Sequence, residues 1–165
     1  MKKISIIFSL LVGLFYMPPV SNTVSAEAAD DVIKVVYHAD YASPRRLSAM
    51  ITSINNMVTT YKSDLVDYDV RIVFVSHGIR FLTNDKLAKT PFAEDKQLAE
   101  RKSNIMQRLA SLQNVHDVKL ELCDITRQAI NLDAKKLMPN VKLVRSGVVR
   151  IAELQHQGFA YIKIE

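Results

Sequence analysis

The stretch Val70-Arg71-Ile72-Val73-Phe74-Val75-Ser76-His77-Gly78 decides the fold. Ile72, Val73, Phe74 and Val75 stand in near-continuous apolar order and do not alternate with polar residues. A strand that is apolar on both sides is covered on both faces, which is the condition of a strand inside a parallel sheet. Ser76-His77-Gly78 then ends it with turn-forming residues.

The same grammar extends outward in both directions. Residues 32–37, Val-Ile-Lys-Val-Val-Tyr, read as a preceding strand, followed by His38-Ala39-Asp40-Tyr41-Ala42 as a loop. Ser43-Pro44 supplies a helix cap and a proline at the first helical position. Leu47, Met50, Ile51, Ile54, Met57, Val58 and Tyr61 recur at spacings of three and four, which makes one apolar helix face. Downstream, residues 83–95 are polar, carry Pro91 and read as a loop. A helix is predicted over about 94–113, with Leu98, Ile105, Met106, Leu109 and Leu112 inward. A third strand at 118–122 ends on Cys123-Asp124 and is followed by a short helix at 125–132, with a further turn at 134–138 before Pro139. A fourth strand is expected at 141–144, a turn at Ser146-Gly147, a helix at 148–157 stopped by Gly158, and a fifth strand at 159–164. Strands that alternate with helices imply a three-layer α/β/α fold around a five-stranded, mostly parallel sheet.

Residues 1–26 read differently. Lys2 and Lys3 precede an apolar run at 4–17, whose 14 residues fall short of the roughly 20 that span a bilayer. Pro18-Pro19 follow, and Val24-Ser25-Ala26 offers the small residues of a cleavage site. This is the pattern of a secretory signal peptide cut after Ala26. Removing 26 of the 165 residues would leave 27–165 as one domain, a periplasmic or secreted protein with no stable membrane anchor. Without Lys2 and Lys3 the balance is 20 basic against 17 acidic residues, too small and dispersed a surplus to imply nucleic acid. With 48% hydrophobic and 24% charged residues the chain is globular and not disordered.

Chemistry in an open parallel sheet collects beyond the carboxyl ends of its strands. His38, His77 and Cys123 fall at three such ends. Cys123 is the sole cysteine, so it makes no internal disulfide and is either buried and inert or free for chemistry. At a strand-to-helix junction, backbone N–H groups and the helix dipole would favour thiolate. Asp124 would oppose this, and Thr126 could cap the helix or donate to the sulfur. His77 could move a proton, and Gly78 beside it lets a ligand or a backbone come close. Three distant residues, His38, His77 and Cys123, could converge on a metal, but no ligand spacing supports that, and no metal is assigned. With 4 glycines and no Gly-rich loop, a nucleotide or flavin cofactor is not expected, nor is a G-x-S-x-G hydrolase. Arg45 and Arg46 read as a solvated first helical turn. The bland alternative for Cys123 is a small apolar core residue.

Three blocks carry a resemblance: Val73-Phe74-Val75-Ser76-His77-Gly78; Val118-Lys119-Leu120-Glu121-Leu122-Cys123-Asp124-Ile125-Thr126; and the tail Ser146-Gly147-Val148-Val149-Arg150-Ile151-Ala152-Glu153-Leu154-Gln155-His156-Gln157-Gly158-Phe159-Ala160-Tyr161-Ile162. With Asn55 and Asn56, they resemble the exported members of the DsrE/DsrF-like sulfur-relay family. The resemblance implies a five-stranded parallel sheet, homo-oligomers (trimers or hexamers), and a cysteine that carries persulfide sulfur between donor and acceptor proteins or small sulfur species. Cys123 matches that cysteine. Unlike the cytoplasmic carriers, this chain has no Arg-Gly pair shortly after the cysteine. A carrier fits these features better than a turnover enzyme. A homo-oligomeric binding module of the same fold and a His/Cys metal-binding protein are the competing readings.

Overall fold

The structure is a computed structural model that describes residues 32–165, so the expected leader at 1–26 lies outside the described residues. The elements are β1 (Ile33–Ala39), α1 (Pro44–Ser63), β2 (Tyr68–Phe74), α2 (Lys96–His116), β3 (Lys119–Cys123), α3 (Asp124–Ala129), β4 (Lys142–Val144), α4 (Gly147–His156) and β5 (Ala160–Ile162). Two 3₁₀ segments, Ser76–Phe81 and Ala134–Lys136, join them. The sheet runs β4-β3-β2-β1-β5 and every pairing is parallel. The expected three-layer α/β/α architecture is what the chain forms.

The layers are unequal. Val70, Ile72 and Phe74 of β2 and Leu120 and Leu122 of β3 join the α1 and α2 stripes in one large core. Leu132, Leu137 and Met138, on the way from β3 to β4, pack against the same core, so that crossover runs on the α1/α2 side. The opposite face is covered by α4, over a small cluster of Val36, Val73, Ile151, Leu154 and Phe159. Strand alternation therefore sends Glu121 and Cys123 to the thin side, beneath α4.

This arrangement fixes a switch point. The connection leaving β3 turns to the α1/α2 face, and the connection leaving β4 turns to the α4 face. Between two neighbouring strands whose exits diverge, a crevice opens at their carboxyl ends. Cys123 and Val144 are register partners at that place.

Several boundaries differ from the sequence expectation, each for a pairing or capping reason. The first strand continues through His38 and Ala39, which pair with Val73 and Phe74, so His38 lies within the sheet and not in a loop. Ser76-His77-Gly78, expected only to end the second strand, instead open a 3₁₀ segment over Ser76–Phe81, with the Gly78 N–H donating to the Val75 carbonyl at 2.9 Å. The last helix begins at Gly147, because the Ser146 side chain accepts from the Val149 N–H and so caps it. The helix after Cys123 stops at Ala129, with Asn131 in the left-handed region at φ 52°.

A buried arginine paired with a half-exposed carboxylate fixes the 3₁₀ segment against α2. Arg80 is 4% exposed and donates to the Asp95 carboxylate at 2.6 Å and to the Ala93 carbonyl at 2.9 Å. Asp95 also caps α2 by accepting from the Leu98 N–H at 2.9 Å. Asp95→Ala removes a cap and leaves a buried guanidinium short of its carboxylate. It is expected to cost about 2 kcal/mol of stability, measured by urea unfolding. A loss below about 0.5 kcal/mol would show that neither bond matters.

Candidate functional site

Cys123 is the last residue of β3 and the cap residue of α3, with φ −60° and ψ 113°. The residue is 4% exposed, so of the two states left open by the sequence, buried or free, its thiol is a covered one. The cover is α4. A Cβ built on Gly147 would stand 3.1 Å from the Cys123 Cβ and 2.5 Å from Val75 Cγ2. Only a residue without a side chain lets the first turn of α4 come this close.

The rim is built by the ends of β2 and β3. Ser76, in the left-handed region at φ 50°, donates its N–H to Thr126 Oγ1 at 3.1 Å. Thr126 is therefore a brace between the β2 turn and α3, where the sequence suggested a helix cap or a donor to the sulfur. Asp124 accepts from Arg127 Nε at 2.6 Å, and that bond holds its carboxyl below the ordinary range. Its negative charge is thus answered by Arg127 beside it.

The other candidates from sequence do not join Cys123. His77 packs edge-on against Phe92, with ring centroids 5.2 Å apart, and its Nδ1 lies 3.3 Å from Ser76 Oγ. Gly78 meets backbone and not a ligand: a Cβ there would fall 2.2 Å from the Ala39 carbonyl oxygen. His38 faces Tyr161, Nδ1 to hydroxyl 3.0 Å, and burial lowers its pKa, opposed by Asp40 and assisted by Lys163. Strand β2 lies between His38 and Cys123, which sets them about 10 Å apart across the sheet alone. The convergence of His38, His77 and Cys123 on a metal is thus not formed, and among the described residues no group of three His, Cys, Asp or Glu side chains is arranged to hold one. Arg46 is held at the chain terminus by the Ile164 carbonyl at 3.1 Å and Glu165 at 3.4 Å.

Sequence reasoning passed over the most tightly held group near the thiol. Glu121, two residues before Cys123 on the same face, is 1% exposed. Arg150 of α4 grips its carboxylate through two bonds, at 2.6 and 3.0 Å, and Arg71 of β2 adds a third at 3.1 Å. The signal was present: a glutamate inside a strand whose neighbours Leu120, Leu122 and Cys123 are all core types requires a buried cation.

Beside this unit, a cleft of about 620 Å³ runs along the open edge strand β4, lined by Ile125, Leu143, Val144, Ser146 and Val149 with Lys142, Arg145, Arg150 and Glu153. Ile125, Val148 and Val149 are 55 to 66% exposed around it. Among the described residues no helix is long and apolar enough to cross a membrane.

A doubly wound parallel sheet with its one thiol at the switch point defines a small α/β protein of the thiol-bearing kind. The chain belongs to the DsrE/DsrF-like family, which it matches over residues 30–164. That membership supports a sulfur-relay-type role in general terms. Among solved structures it is similar to a protein of unknown function, MTH1491 from Methanobacterium thermoautotrophicum, with 24% identity, a TM-score of 0.60, and coverage of 79% of this chain and 98% of that one. It is similar also to the ychN protein from E. coli, with 17% identity, a TM-score of 0.55, and coverage of 81% and 100%. At these identities the likeness shows the fold alone. No curated protein matches the sequence.

Proposed function

We propose that this protein is an exported sulfur carrier that holds sulfane sulfur on Cys123, with residues 1–26 as its leader and 27–165 as the mature chain. The observation that carries the reading is the position of Cys123, at the carboxyl end of β3 opposite Val144, where the exits of β3 and β4 diverge. The step is a transfer without net redox change. The Cys123 sulfur attacks the outer sulfur of a donor persulfide, R–S–SH. The donor S–S bond breaks, R–S leaves as the thiol with the proton given up by Cys123, and the new S–S bond leaves Cys123 as a persulfide. The reverse step delivers the sulfur to an acceptor thiol.

Incubating the protein with a low-molecular-weight persulfide tests this. Wild type is expected to gain the mass of one sulfur atom, and Cys123→Ser none. Failure of wild type to load under conditions that load a known carrier would overturn the reading.

A second feature supports assembly, on which the alternative of a binding module rests. Ile125, Val148 and Val149 leave an apolar rim exposed at one end of the monomer, and such a patch on a soluble protein marks a contact surface. The mature chain is expected to form a homotrimer or hexamer through it. Light scattering on the purified protein should give a mass of three or six protomers, and Val149→Glu should lower it. A monomeric wild type would sink the idea.

A further inference from the structure

We propose that Glu121 is a positioning residue that sets access to the Cys123 thiol: through Arg150 it holds the first turn of α4 over the sulfur, and reagents reach the sulfur when that turn lifts. The inference concerns access alone, and stands whether or not the thiol carries sulfur.

The contacts of α4 make the case. The helix has three holds on the sheet. Gly147 packs on Val75 and Cys123. One turn on, Arg150 forks onto the Glu121 carboxylate. Beyond that, Ile151 and Leu154 close the small cluster with Val36, Val73 and Phe159. The first turn sends no apolar side chain of its own inward: Val148 and Val149 face out, at 66% and 55% exposure. Gly147 contributes no side chain, and Arg145 before it is exposed. The Ser146 cap bond is long, at 3.5 Å. Besides the close backbone packing of Gly147, what holds this turn down is therefore the Glu121–Arg150 fork.

Glu121 is in turn fixed from below by Arg71 at 3.1 Å, and Arg71 is fixed by Asp69 at 3.0 Å. Residues with few buried apolar contacts open locally at far lower cost than the whole fold. A turn held by glycine packing and one charged fork over a thin cluster is such a unit, whereas the α1/α2 side of the same sheet is held by the main core. Loss of the fork should raise the open population without unfolding the rest.

The experiment reads the rate at which methyl methanethiosulfonate modifies Cys123 in the full native protein, followed by intact mass. Glu121→Gln keeps the shape and removes the charge. It is expected to raise the rate by roughly tenfold or more, the size set by weakening two charge-assisted bonds. Gly147→Ala approaches the same turn from the other side, since its new methyl group must push α4 off Val75, and should also accelerate modification. Arg150→Lys, which keeps one charged donor, should fall between wild type and Glu121→Gln. Leu109→Ala, in the core across the sheet, destabilises the whole protein and serves as the control. Its rate should stay near that of wild type, and the Glu121→Gln rate should not change in low urea, because a local opening exposes little new surface. If Glu121→Gln reacts at the wild-type rate, or if Leu109→Ala accelerates modification as much, the assignment of Glu121 is wrong. Should Glu121→Gln fail to fold, Gly147→Ala and Arg150→Lys decide: wild-type rates in both would overturn it.

Discussion

Gly78→Ala is expected to destabilise the protein by about 3 kcal/mol, the upper end of what a single added methyl group costs in a packed interior. The reason is geometric. The new Cβ would sit 2.2 Å from the Ala39 carbonyl oxygen and 3.3 Å from the Phe74 Cβ. The first contact is with backbone, which has no rotamer to escape into. That carbonyl also accepts the Val75 N–H at 2.9 Å, the last bond joining the ends of β1 and β2. Relief of the clash thus stretches the β1–β2 ladder at the end where the site is built. In thermal unfolding the loss corresponds to a fall in Tm of roughly 10 °C. A second consequence separates packing from binding. Were Gly78 a ligand approach, alanine would impair a reaction and leave stability alone. An unchanged urea midpoint for Gly78→Ala would contradict the backbone assignment.

What the sequence disclosed and what it hid divide along one line. The α1 stripe and the apolar run of β2 report their own burial, because each is repeated over many residues and read against a fixed period. The parallel sheet follows from them. That Cys123 ends a strand follows too, but that it stands at the switch point does not, because this needs the strand order and the face on which each crossover runs. The covering of Cys123 does not, because it depends on where α4 lands. That is set by Gly147 packing on Val75 and by a pairing between Glu121 and Arg150, 29 residues apart in the chain. His38 was misplaced for a related reason: a strand end is defined by the neighbour that pairs with it, here Val73, and not by the polarity of the residue. Thr126 had a hydroxyl fit for several duties, and its bond to the Ser76 N–H singles out bracing. Local pattern thus reports which residues are buried, while the partners of a buried polar group emerge only in three dimensions.

Glu121→Ala is expected to cost about 3 kcal/mol at neutral pH, because it strands two partly buried guanidiniums. That is the low end for a broken buried pair, for two reasons. Arg71 keeps the Asp69 carboxylate, and the Arg150 side chain, 15% exposed, keeps some contact with water. The pH dependence has a definite sign. Burial alone would raise the Glu121 pKa, but the bonds and charges of Arg150 and Arg71 outweigh it, so the folded carboxyl lies below its ordinary value of 4.5. The folded protein then binds this proton more weakly than the unfolded chain does. Its stabilising contribution is complete above that ordinary value and is lost as pH falls through the lower, folded value. Other carboxylates, Asp69 among them, titrate over the same range, so wild type alone cannot isolate the effect. The difference between wild type and Glu121→Gln can, since glutamine does not titrate. Urea unfolding at a series of pH values should show that difference constant from pH 7 down to about 4.5 and shrinking below it. A gap that widened in acid would mean that the buried carboxyl takes up its proton more readily when folded. Desolvation would then outweigh the two arginines.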